Sequence, residues 1–331
     1  MLAWVVGAKG LLGSSVRSAL AERSEATLFA DDQTIPAGDD PSLALALRSR
    51  AARFLTSSVA HGHDGWAVLW CAGTAVVASG AREVAADRGA FEQFLLALEA
   101  ALDASPEAAK IPGHILLASS AGGVWAGHTG APITESTPVR PLSDYGFGHL
   151  AREEALTAFA ARKTGVRTAA VRLSNLYGPE QRLDKPQGLV SQIARSSIHR
   201  RPVRIYVPLD TVRDYLFAED AGRGMADVLE RLARSPEAGP TPLVKILASE
   251  EETSIGGLLA IFRRVTRRKV AVVAGLRPVS RLQPWRLRFR SEVWTSAGRS
   301  RRTPLPEGVA RIHRHQLAQF VRGALPPPVE E

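Results

Sequence analysis

Three glycines punctuate the apolar start of the chain, LAWVVGAKGLLGSSV, at Gly7, Gly10 and Gly13. They follow a run of large apolar residues and open a helical pattern. Glycines at this spacing permit a tight turn and bring bare backbone close to a bulky anion. The helix behind them offers unpaired N–H groups and the positive end of its dipole. The chemistry such a loop serves is the binding of a dinucleotide pyrophosphate, with Gly7, Lys9, Gly10, Leu11, Leu12 and Gly13 as its candidate residues. Asp31 ends a second apolar run, ATLFA, eighteen residues after Gly13. A carboxylate there accepts hydrogen bonds from a ribose and repels a 2′-phosphate, which favours NAD. Lys9 pulls the other way, since a cation inside the loop can reach a 2′-phosphate, so NADP stays open. Asp32, beside Asp31, leaves the identity of the acid open by one residue.

The elements that must position this loop are legible from the pattern. Short apolar runs at 2–6, 26–30, 66–71, 113–118 and 166–173 read as strands. They alternate with helical stretches at 11–23, 42–55, 83–103 and 144–164. Strands alternating with helices imply parallel βαβ units with helices on both faces of one sheet. The predicted fold class is therefore α/β: a Rossmann-type, doubly wound parallel sheet over residues 1–174, with a smaller, irregular α/β substrate-binding lobe mainly over 175–331. After Asn175 proline and glycine become frequent and the regular alternation loosens. Helical patterns at 187–198, 218–233 and 254–265 and a strand at 243–247 belong to this second half, with about 203–248 returning in part to the sheet.

Four later segments identify a resemblance. ILLASSAGGVWAG resembles the strand-end serine motif of extended short-chain dehydrogenase/reductases. DYGFGHLAREE resembles their Tyr-x-x-x-Lys helix, VRLSNLYGPEQR their Arg-Leu-x-Asn-x-Tyr-Gly-Pro segment, and VRDYLFAEDAGRGM their Arg-Asp-Tyr segment. The matches run in family order from residue 4 to about 230 and are similar to those of nucleotide-sugar epimerases and dehydratases. The resemblance implies Tyr145 as catalytic acid/base, and Ser120 or its neighbour Ser119 as the hydroxyl that holds the reacting oxygen. It places Asn175 and, with Ser119, the substrate side of the site. Arg213 falls against a diphosphate, where a bidentate guanidinium is the natural partner; Asp220 caps a helix. Cofactor contacts extend to Ala72, Gly73, Tyr145 and His149.

Two departures carry information. Family dehydratases have an Asp-Glu pair directly after the catalytic Ser or Thr, and here those positions are Ala121 and Gly122. No acid/base pair is present there to remove and return further protons. The family lysine, which holds the nicotinamide ribose and lowers the tyrosine pKa by its charge, is His149. It stands four residues after Tyr145, on the same helix face. A histidine still donates a hydrogen bond, yet its reference pKa of about 6.5 leaves it mostly neutral at pH 7. The expectation is an NAD(P)-dependent nucleotide-sugar epimerase or 4-ketoreductase using Ser120, Tyr145 and His149. The competing expectation is a relative that keeps a dinucleotide without ordinary catalysis.

Composition narrows the partners. The one cysteine, Cys71, excludes an intrachain disulfide. No run is apolar enough to span a bilayer, the start lacks the basic region of a signal peptide, and a cytoplasmic protein is the expectation. The net charge of +9 is concentrated: residues 263–302 hold thirteen Arg or Lys against Glu292 alone. Such a cluster can attract phosphorylated ligands or nucleic acid, but no helix-turn-helix or RNA-binding signature accompanies it. A nucleotide sugar is the expected small-molecule partner, no metal is expected, and a homodimer through two helices per subunit is common in the family.

Overall fold

LAWVV and WAVLW have no polar alternation, so strands built from them must be covered on both faces. In the computed structural model, which describes residues 1–31, 36, 40–130, 132–184, 188–235, 241–275, 284–297 and 302–328, every residue of both is buried. The first half runs β1 (Leu2–Val6), α1 (Leu11–Ala21), β2 (Thr27–Leu28), α2 (Leu43–Ala60), β3 (Trp66–Trp70), α3 (Ala81–Asp103), α4 (Pro106–Lys110), β4 (Gly113–Ser120), α5 (Ala121–Val124), α6 (Asp144–Arg162) and β5 (Val166–Leu173). There follow β6 (Asn175–Tyr177), α7 (Leu189–His199), β7 (Val203–Ile205), β8 (Val212–Arg213), β9 (Tyr215–Phe217) and α8 (Ala218–Arg234). The chain ends with β10 (Leu243–Leu247), β11 (Thr253–Ser254), α9 (Ile255–Thr266), β12 (Val272–Ala274) and α10 (Leu305–Val321).

Six parallel strands form the central sheet in the order β2-β1-β3-β4-β5-β10. One face is closed by α2, α3 and α6 around Trp4, Phe54, Trp70 and Phe94, and the other by α1 and α8 around Val16, Val171 and Met225. This is the doubly wound α/β sheet expected. β10 comes from the second half of the chain and extends the sheet beside β5, with register Leu243↔Ala169 to Leu247↔Leu173. The run expected as a strand at 26–30 shrinks to Thr27–Leu28, an edge strand whose bonding continues only to the Phe29 amide. The helix expected at 42–55 continues to Ala60, since Phe54, Leu55 and Ser58 still face the core.

The smaller lobe packs α7, α9 and α10 around Tyr177, Ile193, Phe262 and Ile312, with the short pairs β6·β9, β7·β12 and β8·β11 at its border. α10 has no counterpart in the sequence pattern. Its buried seam of Leu305, Val309 and Ile312 continues through a polar Gln316, and it contains Gly308. That glycine is needed because a Cβ there would lie 2.3 Å from the Tyr177 hydroxyl.

Candidate active site

From β1 the chain crosses to β2 on one side, and from β3 to β4 on the other. Loops diverge at such a switch point and leave a crevice beyond the C-terminal strand ends. Gly7 ends β1 at φ +85°, and a Cβ on it would meet the Ala72 amide nitrogen at 2.7 Å. Only glycine lets the two loops pass so closely. Gly13 is equally constrained, since its Cβ would lie 2.1 Å from the Gly7 carbonyl oxygen. Gly10 differs. It caps α1 and is exposed, and a Cβ there would meet nothing nearer than the Gly7 oxygen at 3.4 Å. Packing does not demand glycine at this position, so the open space before the helix N-terminus fits the close approach of a pyrophosphate. Lys9 is exposed in the same loop, and Leu11 and Leu12 form the first turn behind it, Leu12 facing the core.

Asp31 is turned inward. Its carboxylate accepts from the Trp4 indole at 3.1 Å and lies 3.6 Å from Arg50 Nε, with the side chain 6% exposed. The ribose contact expected of it is therefore not presented; two buried core residues hold the acid instead. Asp32, the alternative, lies outside the described residues. Ala72 and Gly73 continue from β3 into a loop held by Asp87 of α3, whose carboxylate accepts from the amides of Thr74 (2.8 Å) and Ala75 (2.8 Å).

Ser120 ends β4 and caps α5, accepting from the Gly123 amide at 3.1 Å. A Cβ on Gly123 would lie 3.3 Å from Ser120 Oγ and 3.1 Å from the Tyr145 ring, so hydroxyl and phenol converge there. The tyrosine opens α6 behind the capping Ser143 and lies close against Gly123. Gly146 lets α6 come down onto the Gly123 carbonyl. Burial raises the Tyr145 phenol above its ordinary 10, a rise opposed by the Ser120 hydroxyl and by the charge of Arg152. His149 follows one turn later, its ring 4.5 Å from that of Tyr145 and edge-on to it. Burial, with the positive charge of Arg152 beside it, holds the imidazole well below its ordinary 6.5, so it is neutral.

Arg152 is the residue that reading the sequence missed. It is 6% exposed, and its Nη2 lies 2.8 Å from His149 Nδ1. The signal was available: Arg152 lies three residues after His149 and seven after Tyr145, on one helix face.

Ser119 does not line the substrate side. Strand neighbours point to opposite faces, and its hydroxyl donates inward to Glu153 at 2.5 Å, 3.4 Å from His149 Nδ1. Glu153 also accepts two bonds from Arg172 on β5 (3.0 and 2.6 Å), and that guanidinium stacks 4.5 Å over Trp125. Asn175 is exposed after β5, its amide donating to the Asp214 carbonyl at 2.8 Å. Arg213 is buried and donates to the carbonyls of Val212 (2.9 Å) and Pro284 (2.7 Å), so part of its guanidinium pins the chain near residue 284 rather than facing a diphosphate. Asp220 lies inside the first turn of α8 rather than at its cap, and accepts from the Thr303 amide and hydroxyl and from Arg223. In the basic segment Arg286 and Arg288 both pair with Glu252, and Arg302 bonds the Ser249 carbonyl. Arg277, Arg281, Arg299 and Arg301 lie outside the described residues. Among the described residues no His, Cys, Asp or Glu cluster could hold a metal, and no helix is long and apolar enough to cross a membrane.

The chain matches the NAD dependent epimerase/dehydratase family over residues 3–240. It is 30% identical over 106 residues to the dTDP-4-dehydro-6-deoxyglucose reductase of Escherichia coli, covering 32% of this chain and 33% of that protein. It is 28% identical over 109 residues to a putative UDP-glucose 4-epimerase of Methanocaldococcus jannaschii, covering 33% and 35%. These matches span about a third of the relatives' length. In fold, the UDP-glucose 4-epimerase of Thermotoga maritima solved with UDP-glucose superposes with a TM-score of 0.74 at 19% identity, covering 97% of this chain and 100% of that one. The UDP-glucuronic acid 4-epimerase of Bacillus cereus, solved with UDP-glucuronic acid and NAD, gives 0.72 at 18% identity over 97% and 100%.

Proposed function

Since the chain belongs to the NAD-dependent epimerase/dehydratase family, we propose that it is an NAD(P)-dependent nucleotide-sugar epimerase or 4-ketoreductase with Tyr145 as its acid/base. The observation that carries this reading is the meeting of Tyr145 and Ser120 at the C-terminal end of β4, on the same edge of the sheet as the Gly7–Gly13 loop. The cofactor residues fit a dinucleotide: Gly10 and the N-terminus of α1 would hold the pyrophosphate, and the Ala72–Gly73 loop would border its other half. The nicotinamide, when bound, supplies the hydride acceptor or donor. Tyr145 Oη takes a proton from the sugar hydroxyl or returns it, and Ser120 fixes the direction of that oxygen. Gly123 lets the phenol ring pack closely against α5, which helps hold the hydroxyl while the proton moves. Ala121 and Gly122 offer no second acid/base pair, which supports a plain alcohol–ketone interconversion over a dehydration.

Leu96 on α3 and Phe147 on α6 are both more than half exposed on helices that pack together, which supports a homodimer through these two helices. A second reading rests on His149. A neutral ring in the place of a cation suits a protein that keeps its cofactor without turnover.

Mass spectrometry of the dinucleotide released from denatured protein identifies the cofactor. UDP-hexose interconversion with no net consumption of cofactor is the epimerase result, and stoichiometric loss of NADPH absorbance the reductase result. Dinucleotide binding with no turnover across UDP- and dTDP-hexoses would replace both with the second reading.

A further inference from the structure

A partly buried phenol that must pass through its anion needs positive charge close by, because desolvation penalises the charged form. One turn after Tyr145 stands an imidazole that is neutral, so the charge must come from elsewhere. Around this pair, α6 contributes Arg152 and Glu153, β4 the hydroxyls of Ser119 and Ser120, β5 Arg172, and α3 Asp87. The two arginines are not equivalent. Arg172 is spent on Glu153, with two hydrogen bonds to its carboxylate, and on the face of Trp125. Arg152 instead lies against His149, with Nη2 at 2.8 Å from Nδ1, on the ring that stands edge-on to Tyr145. Its Nη1 reaches the loop after β3: a Cβ on Gly73 would lie 3.6 Å from Nη1 and 3.3 Å from Asp87 Oδ2.

Nη2 of Arg152 also lies 3.2 Å from His149 Nε2, so the guanidinium sits against the nitrogen edge of the ring. The imidazole is held between Arg152 and the edge-on ring of Tyr145.

We infer that Arg152 is a positioning residue for proton transfer: it supplies the fixed positive charge for Tyr145 across the neutral ring of His149, and Asp87 opposes that charge. The inference rests on the reading of Tyr145 as acid/base, and it explains how the site works with histidine where lysine is expected. An arginine keeps its charge at every pH at which the protein is folded, so the device is permanent where a histidine cation would not be. Asp87 has the opposite sign. It moderates the field at Tyr145 while its carboxylate ties the Thr74 and Ala75 amides to α3.

The test is a titration of Tyr145 in the NAD-loaded protein, followed by NMR of ring-labelled tyrosine, with the Tyr145 signal assigned by Tyr145→Phe among the four tyrosines. Arg152→Gln is expected to move the titration up by about 1–3 pH units, or out of the accessible range, as loss of a nearby opposite charge does. Arg152→Lys should restore most of the shift. Asp87→Asn should move it down, an opposite sign that a general loss of packing would not produce. If Arg152→Gln does not fold, the sign of the Asp87→Asn shift decides. An unchanged titration in folded Arg152→Gln, or an upward shift in Asp87→Asn, overturns the inference. None of these readings depends on turnover. Failure of the proposed activity would appear separately, as Tyr145→Phe retaining the turnover of the parent.

Discussion

Gly10 and Gly13 belong to one motif but do different work, and single substitutions separate them. Gly10 has φ −81° and ψ 165°, a conformation any residue adopts, and its nearest neighbour in space is ordinary contact at 3.4 Å. Gly10→Val replaces an acceptable helix cap with a poor one, at about 1 kcal/mol. Reduced freedom of the unfolded chain returns roughly 0.4–1 kcal/mol. The net change is small, and the melting temperature should stay within about 4 °C of the parent. The valine methyls nevertheless occupy the space through which a pyrophosphate would meet the helix, and NAD binding should weaken at least about a hundredfold, or roughly 2.8 kcal/mol.

Gly13→Ala is the mirror case. Its Cβ would sit 2.1 Å from the Gly7 oxygen and 2.7 Å from the Gly7 carbonyl carbon, both backbone atoms that cannot swing aside. The helix-propensity gain of about 1 kcal/mol is outweighed by overpacking of about 1–3 kcal/mol or more. Gly13→Ala should therefore melt several degrees lower even without ligand. Thermal unfolding with and without NAD, together with calorimetric titration of NAD, reads both effects. Unchanged NAD affinity in a folded Gly10→Val protein would falsify the assignment of the loop, and an unaltered melting temperature for Gly13→Ala would refute the packing argument.

Other outcomes follow from the same geometry. Asp31→Ala strips the Trp4 indole of its acceptor and should cost about 1–3 kcal/mol in denaturant unfolding, while changing the ratio of NAD to NADP affinity by less than about tenfold; a large swing in selectivity would show that Asp31 turns outward to the ribose. Glu153→Gln leaves the Arg172 guanidinium buried without its counter-charge and should destabilise by about 3–5 kcal/mol, measured by urea unfolding; a change near zero would mean that the pair relaxes into solvent. His149 is held neutral, so below its ordinary 6.5 the unfolded chain takes up a proton that the folded ring refuses. The parent should lose stability as pH falls through that range, by at most about 1.4 kcal/mol per pH unit from this group, and His149→Gln should lack this part of the loss; parallel stability curves for the two proteins would contradict it.

The sheet was legible because fully buried strands and long amphipathic helices carry their periodicity in the residues themselves. The strand at 243–247 was found to the residue. The lobe was legible only in part: strands of two or three residues such as β8 and β11 have no period to read, and α10 hides its buried face behind Gly308 and Gln316. In the site, residue types pointed to the right neighbourhood, but direction did not follow from them. Ser119 and Ser120 are identical in type and opposite in facing, and only the register that sets Ser119 against Arg172 and Ser120 against Leu173 separates them. Asp31 looked like a ligand at a strand end, yet Trp4 and Arg50, 27 and 19 positions away in the chain, draw it into the core. Arg152 was overlooked because its role depends on which way a long side chain lies along α6, which the spacing permits but does not specify.

Tyr145 is proposed to move the proton in a hydride-transfer reaction on a nucleotide sugar. Tyr145→Phe removes one oxygen from a ring that Gly123 and His149 hold in place, so fold and cofactor loop should be untouched. The decisive measurement is turnover of the nucleotide sugar accepted by the parent, alongside NAD affinity, for parent and Tyr145→Phe. The expected result is NAD affinity equal to the parent and a loss of turnover of at least about 100-fold, the lower end of what a positioned acid/base contributes. Full turnover in Tyr145→Phe would contradict it.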